Sequence, residues 1–107
     1  MILGLDISTS ITGVTVIDID GNVVFNDAWD LRNKKYFPTL FHKGHEVKEL
    51  LRQVDDEFYI TSIFIEQSLQ SFRSGFSSAK TLSTLSRFNG IVSWLCYEIF
   101  EMQPEFI

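Results

Sequence analysis

The feature that most restricts the fold of this chain is a glycine turn with an alternating run of β-branched residues on each side. Val14 to Ile19 alternates in the manner of a half-buried strand. Asp20-Gly21-Asn22 is a strong hairpin-turn sequence, and a second strand follows from Val23 to about Ala28. Together with the short apolar run from Ile2 to Asp6, these segments predict a three-strand antiparallel meander.

The rest of the chain predicts two helices separated by a buried strand. Residues 39 to 57 are predicted to form the first helix. Residues 61 to 67 form a short apolar run with an acid, Glu66, next to its end, which is typical of a buried strand. A long helix follows from Ser77 or Ser78 to about Glu101, and a further strand begins at Glu105. The predicted order is therefore βββαβα with a last strand begun, an α/β fold. One face of each helix carries its core residues: Leu40, Gly44, Val47, Leu51, Val54 and Phe58 on the first, and Leu82, Leu85, Phe88, Val92, Leu95 and Ile99 on the second.

A different face of the long helix carries mostly small residues. Small side chains allow another helix to approach closely, so this face predicts a helix–helix contact. Its members recur every three or four positions: Ala79, Ser83, Ser86, Gly90, Ser93 and Tyr97.

Length and composition exclude several classes of protein. A chain of 107 residues forms one domain at most, here 1–107. Its single cysteine, Cys96, excludes an internal disulfide framework and a cysteine-based zinc finger, and favours a reducing, intracellular setting. No apolar run approaches the roughly 20 residues that span a bilayer, so we expect no membrane partner. A net charge of −5 argues against a protein that simply coats a polyanion.

Two acids stand at the ends of apolar strands. Asp6 ends the first strand and Glu66 ends the strand before the long helix. Strand ends at one edge of a sheet converge, and paired carboxylates there suit Mg²⁺ or Mn²⁺. Two other interpretations stay open: Asp6 as a turn residue that caps the amides of residues 8 to 10, and Glu66 as an edge residue that faces water.

Charge is unevenly distributed along the chain. Arg32 to Arg52 holds six basic and two acidic residues, whereas the first thirty residues sum to −5. This stretch could line a DNA backbone, or it could be a solvated helix face. His42 and His45 lie three residues apart with no further zinc ligand at suitable spacing, so we expect them to be solvated or packed.

The segment from Ile2 to Val14 resembles the first motif of the RuvC-like Holliday junction resolvases, which have the ribonuclease H-like fold. The strand Ile63 to Gln67 and the long helix with Arg87-Phe88-Asn89-Gly90 resemble the family in order and spacing. The resemblance covers nearly the whole chain. It departs from the bacterial enzymes after the first acid, where this chain has Ile7-Ser8 in place of Pro-Gly.

The resemblance implies a metal-dependent endonuclease that resolves four-way DNA junctions as a homodimer, in recombination and repair. Asp6 and Glu66 would match the family's first two metal-binding carboxylates. The long helix, through its small-residue face, would form much of the dimer interface. The loop after Glu66 would enter the junction, which makes Phe72, Arg73 and Phe76 candidates for DNA contact, with Ser8 beside the first acid.

The family's remaining acidic ligands lie beyond its final strand. We therefore expect this sequence to be incomplete at its C-terminus and its own cleavage to be weak or absent. Two alternatives follow: a catalytically incomplete DNA-binding and dimerisation module, and a phosphate-binding domain of the actin-like or sugar-kinase class, in which the turn from Asp6 through Gly13 would cradle phosphates. The departures from the bacterial motif after Asp6 favour a phage source. We expect the protein in the cytoplasm of a bacterium or of a phage-infected bacterial host.

Overall fold

The computed structural model describes residues 1–66 and 79–107, which form a five-stranded sheet and two helices. The strands are β1 (Ile2–Asp6), β2 (Ile11–Ile17), β3 (Val23–Asp30), β4 (Ser62–Glu66) and β5 (Glu105–Phe106). The helices are α1 (Leu40–Glu57) and α2 (Ala79–Phe100). The predicted element order, including the final strand, is confirmed.

The sheet has β1 at its centre, in the order β3-β2-β1-β4-β5. β1 and β2 are antiparallel, as are β2 and β3, so the predicted meander is confirmed. β4 joins β1 in parallel and β5 joins β4 in parallel. β4 is therefore an inner strand, with partners on both sides.

One hydrophobic cluster joins the sheet to both helices. Alternate residues of the central strands, such as Leu3, Leu5 and Ile65, are buried in it. The helices contribute Leu51 and Phe88 to the same cluster. Because strand side chains alternate between faces, the residues between these positions lie on the sheet face away from the helices.

The third strand is longer than the sequence predicted. β3 continues two residues past Ala28, because Trp29 pairs with Thr12 and is only 4% exposed. Leu31, the next residue, is fully buried and donates its N–H to the carbonyl of Ser10 at 2.7 Å. The end of the meander is thus fixed by two buried side chains in a stretch that is otherwise polar.

α1 begins with a side-chain cap and packs closely on α2. The Thr39 hydroxyl accepts the backbone N–H of His42. A Cβ placed on Gly44 would lie 3.0 Å from Cγ2 of Ile91, so a glycine allows the two helices to approach closely here. Lys48 of α1 lies 3.7 Å from the carboxylate of Glu98 on α2.

The core stripe of α2 differs in part from the prediction. Phe88, Val92 and Leu95 are buried as expected. Cys96 and Phe100 are buried with them, and Phe88, Val92, Cys96 and Phe100 recur at intervals of four residues. The three other predicted members, Leu82, Leu85 and Ile99, are half-buried. Burial raises the pKa of the Cys96 thiol to about 12, in agreement with a packing role.

Neither helix in the described part of the chain is long and apolar enough to cross a membrane.

Candidate carboxylate site

Asp6 and Glu66 lie side by side at one edge of the sheet. They are the last residues of β1 and β4, and they are register partners in the parallel pairing of these strands. Neighbouring strands are separated by about 4.8 Å, so the two carboxylates can reach a common ion. Both residues are exposed, and both alternate with buried neighbours, which places them on the face away from the helices.

A cleft of about 270 Å³ contains both carboxylates. Its walls come from residues of four strands and from the end of the chain: Gly4, Leu5, Asp6, Gly13, Val14, Thr15, Asn26, Phe64, Glu66 and Ile107. Thr15 donates its hydroxyl to Oδ1 of Asn26 at 2.8 Å, which fixes one polar wall. Phe64 provides an apolar part of the wall, one residue before Glu66 on the same strand.

The space beside Asp6 depends on a glycine in the neighbouring strand. Gly13 of β2 is the register partner of Asp6. A Cβ built on Gly13 would lie 3.6 Å from the Cβ of Asp6, so a larger side chain would fill the cleft next to the carboxylate. A glycine inside a strand commonly marks such a close approach.

The turn after Asp6 is held by hydroxyl groups. The amide of Ser8 donates to the Thr12 hydroxyl at 3.2 Å, and the amide of Ser10 donates to the Ser8 hydroxyl at 3.1 Å. The buried Thr12 hydroxyl donates in turn to the Ser8 carbonyl at 2.8 Å. The amides of Ser8 and Ser10 thus have partners other than Asp6, which counts against a turn-capping role for this acid.

A third acid at this edge of the sheet is held by an arginine. Asp30, the last residue of β3, accepts Nε of Arg32 at 3.0 Å on Oδ1 and Nη2 at 2.8 Å on Oδ2. These hydrogen bonds lower the pKa of Asp30 to about 2. With both carboxylate oxygens bound to a guanidinium, Asp30 is poorly suited to hold a metal.

The donor set of the cleft fits a hard divalent cation. Two carboxylates on adjacent strands are the oxygen ligands that Mg²⁺ and Mn²⁺ prefer. Across residues 1–66 and 79–107, no group of three or more His, Cys, Asp or Glu side chains is gathered as a metal-binding cluster. The site is therefore a carboxylate pair, and Asp6 and Glu66 are its members.

Of the four residues predicted to contact DNA, Ser8 alone lies within the described part of the chain. Phe72, Arg73 and Phe76 lie outside the described residues. Ser8 is half-buried in the turn after Asp6, with its hydroxyl 2.8 Å from that of Ser10.

The small-residue face of α2 lies on the surface of the chain. Five of its six predicted members are exposed, namely Ala79, Ser83, Ser86, Gly90 and Tyr97, and Ser93 is half-buried. The Ser93 hydroxyl donates to the Asn89 carbonyl at 2.6 Å, so it is satisfied within the helix. Apart from its chain neighbours and the surrounding helix backbone, a Cβ built on Gly90 meets no described atom within 4 Å. The face is thus accessible to a partner.

Sequence reasoning missed the cleft walls. The sequence pattern does not predict a site role for Thr15 or Asn26, although both lie in the cleft with the acids. The signal for Gly13 was present, because a glycine inside an alternating strand often marks a close approach. Asn26 gave no such signal, since its place depends on the β2–β3 register that pairs it with Thr15.

No family profile matches the sequence, and no curated protein matches it. Among solved structures, the fold is similar to that of T. thermophilus RuvC in complex with a Holliday junction substrate, with a TM-score of 0.71. The two sequences are 9% identical, and the match covers 92% of this chain. This chain spans 58% of the length of that RuvC chain. The predicted RuvC-like, ribonuclease H-like fold is thereby confirmed.

Proposed function

We propose that this RuvC-like fold serves a metal-dependent endonuclease that resolves four-way DNA junctions by paired phosphodiester hydrolysis. One observation carries the proposal: Asp6 and Glu66 are register partners at the ends of adjacent parallel strands, inside a cleft. The similar fold of RuvC, whose structure holds a Holliday junction, supports branched DNA as the substrate class.

The cleft residues have separate roles in the proposed reaction. Asp6 and Glu66 would hold Mg²⁺ or Mn²⁺, which when bound activates water and stabilises the leaving oxygen. Gly13 leaves room next to Asp6 for a phosphate group of the substrate. The pair Thr15–Asn26 keeps the opposite wall fixed while the DNA strand enters.

Most of the proposed DNA contacts come from the segment that follows Glu66 in the sequence. An aromatic ring at Phe72 or Phe76 could stack on an unpaired base at the junction centre. Arg73 could contact a phosphate, as could the Ser8 hydroxyl from the turn that follows Asp6. These residues would position the DNA over the carboxylate pair.

We propose that two copies associate through α2. The exposed small residues allow a second helix to approach closely, with Gly90 near the middle of the face. Two sites in one dimer would produce the paired nicks that a four-way junction requires. Such a nuclease acts where DNA is processed, so the proposal places it in the cytoplasm of a bacterium or of a phage-infected bacterial host.

A second candidate function is a module that binds junctions and dimerises without cutting them. It is favoured by the absence of a third metal-binding side chain near the pair among the residues described. The nucleotide-binding alternative has less support. Gly13, which it assigns to a phosphate-cradling turn, is paired with Asp6 inside β2.

A cleavage assay on a labelled four-way junction tests the proposal. In Mg²⁺ the nuclease proposal predicts paired, opposed nicks, which are weak because the described site holds only two carboxylates, and their loss in Asp6→Asn and Glu66→Gln. Glu57→Gln is the matched control, because Glu57 is an exposed glutamate at the end of α1. A junction-specific complex without nicks would support the second candidate, and the absence of both would overturn the two proposals.

A further inference from the structure

The segment before and within the start of α1 is basic in an acidic protein. Residues 31 to 45 contain four Lys or Arg residues, both histidines and no acid, whereas the whole chain has a net charge of −5. Two of these cations have partners: Arg32 pairs with Asp30, and the Lys43 ammonium donates to the Thr9 carbonyl. Lys34 and Lys35 are exposed, and neither joins an ion pair with another described residue.

Two aromatic rings are exposed next to these lysines. Tyr36 is 64% exposed and Phe41 is 82% exposed. Both rings line a cleft of about 290 Å³. The Lys35 ammonium lies 5.8 Å from the centre of the Tyr36 ring. We call Lys34, Lys35, Tyr36 and Phe41 the basic-aromatic patch.

The turn that carries the Lys34, Lys35 and Tyr36 part of the patch is held by hydrogen bonds to Asn33. The Asn33 carbonyl accepts the amides of Tyr36 at 3.2 Å and Phe37 at 2.8 Å, and Oδ1 of Asn33 accepts the Lys35 amide at 2.9 Å. Phe37 packs against the core and anchors the far side of the turn. A backbone that is fixed before binding loses little entropy when a ligand arrives.

The patch lies at the same end of the sheet as the carboxylate pair. Two residues of the turn that follows Asp6 contact the segment on either side of the patch. The Ser10 carbonyl accepts the Leu31 amide at 2.7 Å, and the Thr9 carbonyl accepts the Lys43 ammonium. A ligand bound at the patch therefore lies at the end of the sheet where β1 and β4 end in Asp6 and Glu66.

We infer that the basic-aromatic patch binds a DNA strand on its way to the carboxylate pair. Lys34 and Lys35 meet the phosphates, and Tyr36 or Phe41 stacks on an unpaired base. Exposed rings beside cations suit nucleic acid, because every base presents a π-face and every phosphodiester linkage carries a negative charge. The inference rests on the proposed function for the choice of DNA, and it assigns a contact surface separate from the loop after Glu66.

Binding without divalent metal tests the inference. Fluorescence anisotropy would use a labelled four-way junction and a labelled single strand of the same sequence. We expect Tyr36→Ala and the double variant Lys34→Ala/Lys35→Ala each to weaken binding about tenfold. The lysine variant should also reduce the slope of log K against log salt by between about one and two. Tyr36→Trp, which keeps a stacking ring, should retain binding.

Tyr59→Ala is the matched control. Tyr59 is 83% exposed, and its carbonyl accepts the N-terminal ammonium of Met1, at the opposite end of β1 from Asp6. We expect this variant to bind DNA as the unmodified chain does. Patch variants that bind within twofold of the unmodified chain would overturn the inference.

The outcomes separate this inference from the proposed nuclease. If the patch variants lose binding but the unmodified chain makes no nicks in Mg²⁺, the patch is supported and the nuclease fails. If nicking depends on Asp6 while the patch variants bind normally, the nuclease is supported and the patch fails. If the unmodified chain binds neither probe, both are overturned.

Discussion

Asp6 and Glu66 are register partners on two parallel strands that are far apart in sequence. Each is the last residue of its strand, and each is exposed at the end of an otherwise half-buried or buried segment. This relationship depends on the β1–β4 register, because a shift of one residue would turn one carboxylate toward the helices. The proposed chemistry therefore depends on the packing that holds the two strands together.

The central packing residue of α2 should be essential for stability. Phe88 is fully buried in the cluster that joins the helices to the sheet. We expect Phe88→Ala to lower the free energy of unfolding by about 3 to 5 kcal/mol, through lost burial and the cavity left behind. Urea denaturation measures this change in the free energy of unfolding. Phe41→Ala, which truncates a ring that is 82% exposed, should change stability by less than about 0.5 kcal/mol. Equal effects of the two variants would contradict the packing described here.

A larger residue at Gly90 should separate folding from dimerisation. Apart from its chain neighbours and the surrounding helix backbone, a Cβ built there meets no described atom within 4 Å, so Gly90→Leu should leave the fold of the single chain intact. A second copy that approaches α2 closely would clash with the leucine. Analytical ultracentrifugation should show a dimer for the unmodified chain and a monomer for Gly90→Leu, with unchanged circular dichroism. A dimer of undiminished affinity in Gly90→Leu would move the interface elsewhere.

The Asp30–Arg32 pair predicts an acid-dependent change at the end of β3. The Arg32 hydrogen bonds lower the pKa of Asp30 from 3.8 to about 2. Because the pKa is lower in the folded chain, the pair stabilises the fold above pH 3.8, and this contribution is lost as the pH falls toward 2.

Carboxyl ¹³C NMR measures this titration directly. In Arg32→Gln the Asp30 midpoint should return toward 3.8, the ordinary value. The variant should also lose less stability than the unmodified chain over the same pH range. A midpoint near 3.8 in the unmodified chain would show that the pair does not form in solution.

The three-strand meander could be predicted from short-range patterns. The turn at Asp20-Gly21-Asn22 and the alternation around it fix the meander, and Gly21 adopts the positive φ of 84° that this turn needs. The two carboxylates could also be predicted, because an acid at the end of a buried strand is unusual. Both signals are local, so the sequence alone carries them.

Features that depend on long-range contacts could not be predicted. The end of β3 follows from the burial of Trp29 against the core, whereas the alternating pattern predicts an end at about Ala28. Asn26 enters the cleft only through its register with Thr15. The burial of Phe100 likewise depends on how α2 is rotated against the sheet, whereas a core position for Cys96 is predicted from the sequence.

Manganese binding to the ¹⁵N-labelled chain tests the central claim most directly, because Mn²⁺ broadens the NMR signals of nearby amides whether or not DNA is cut. We expect the strongest broadening at Asp6, Gly13 and Glu66, and its loss in Asp6→Asn. The acidic turn that begins at Asp18 is an internal control, since Oδ1 of Asp18 already accepts the amides of Asp20 at 3.0 Å and Asn22 at 2.9 Å. Broadening centred on that turn, or none at the ends of β1 and β4, would contradict the carboxylate site.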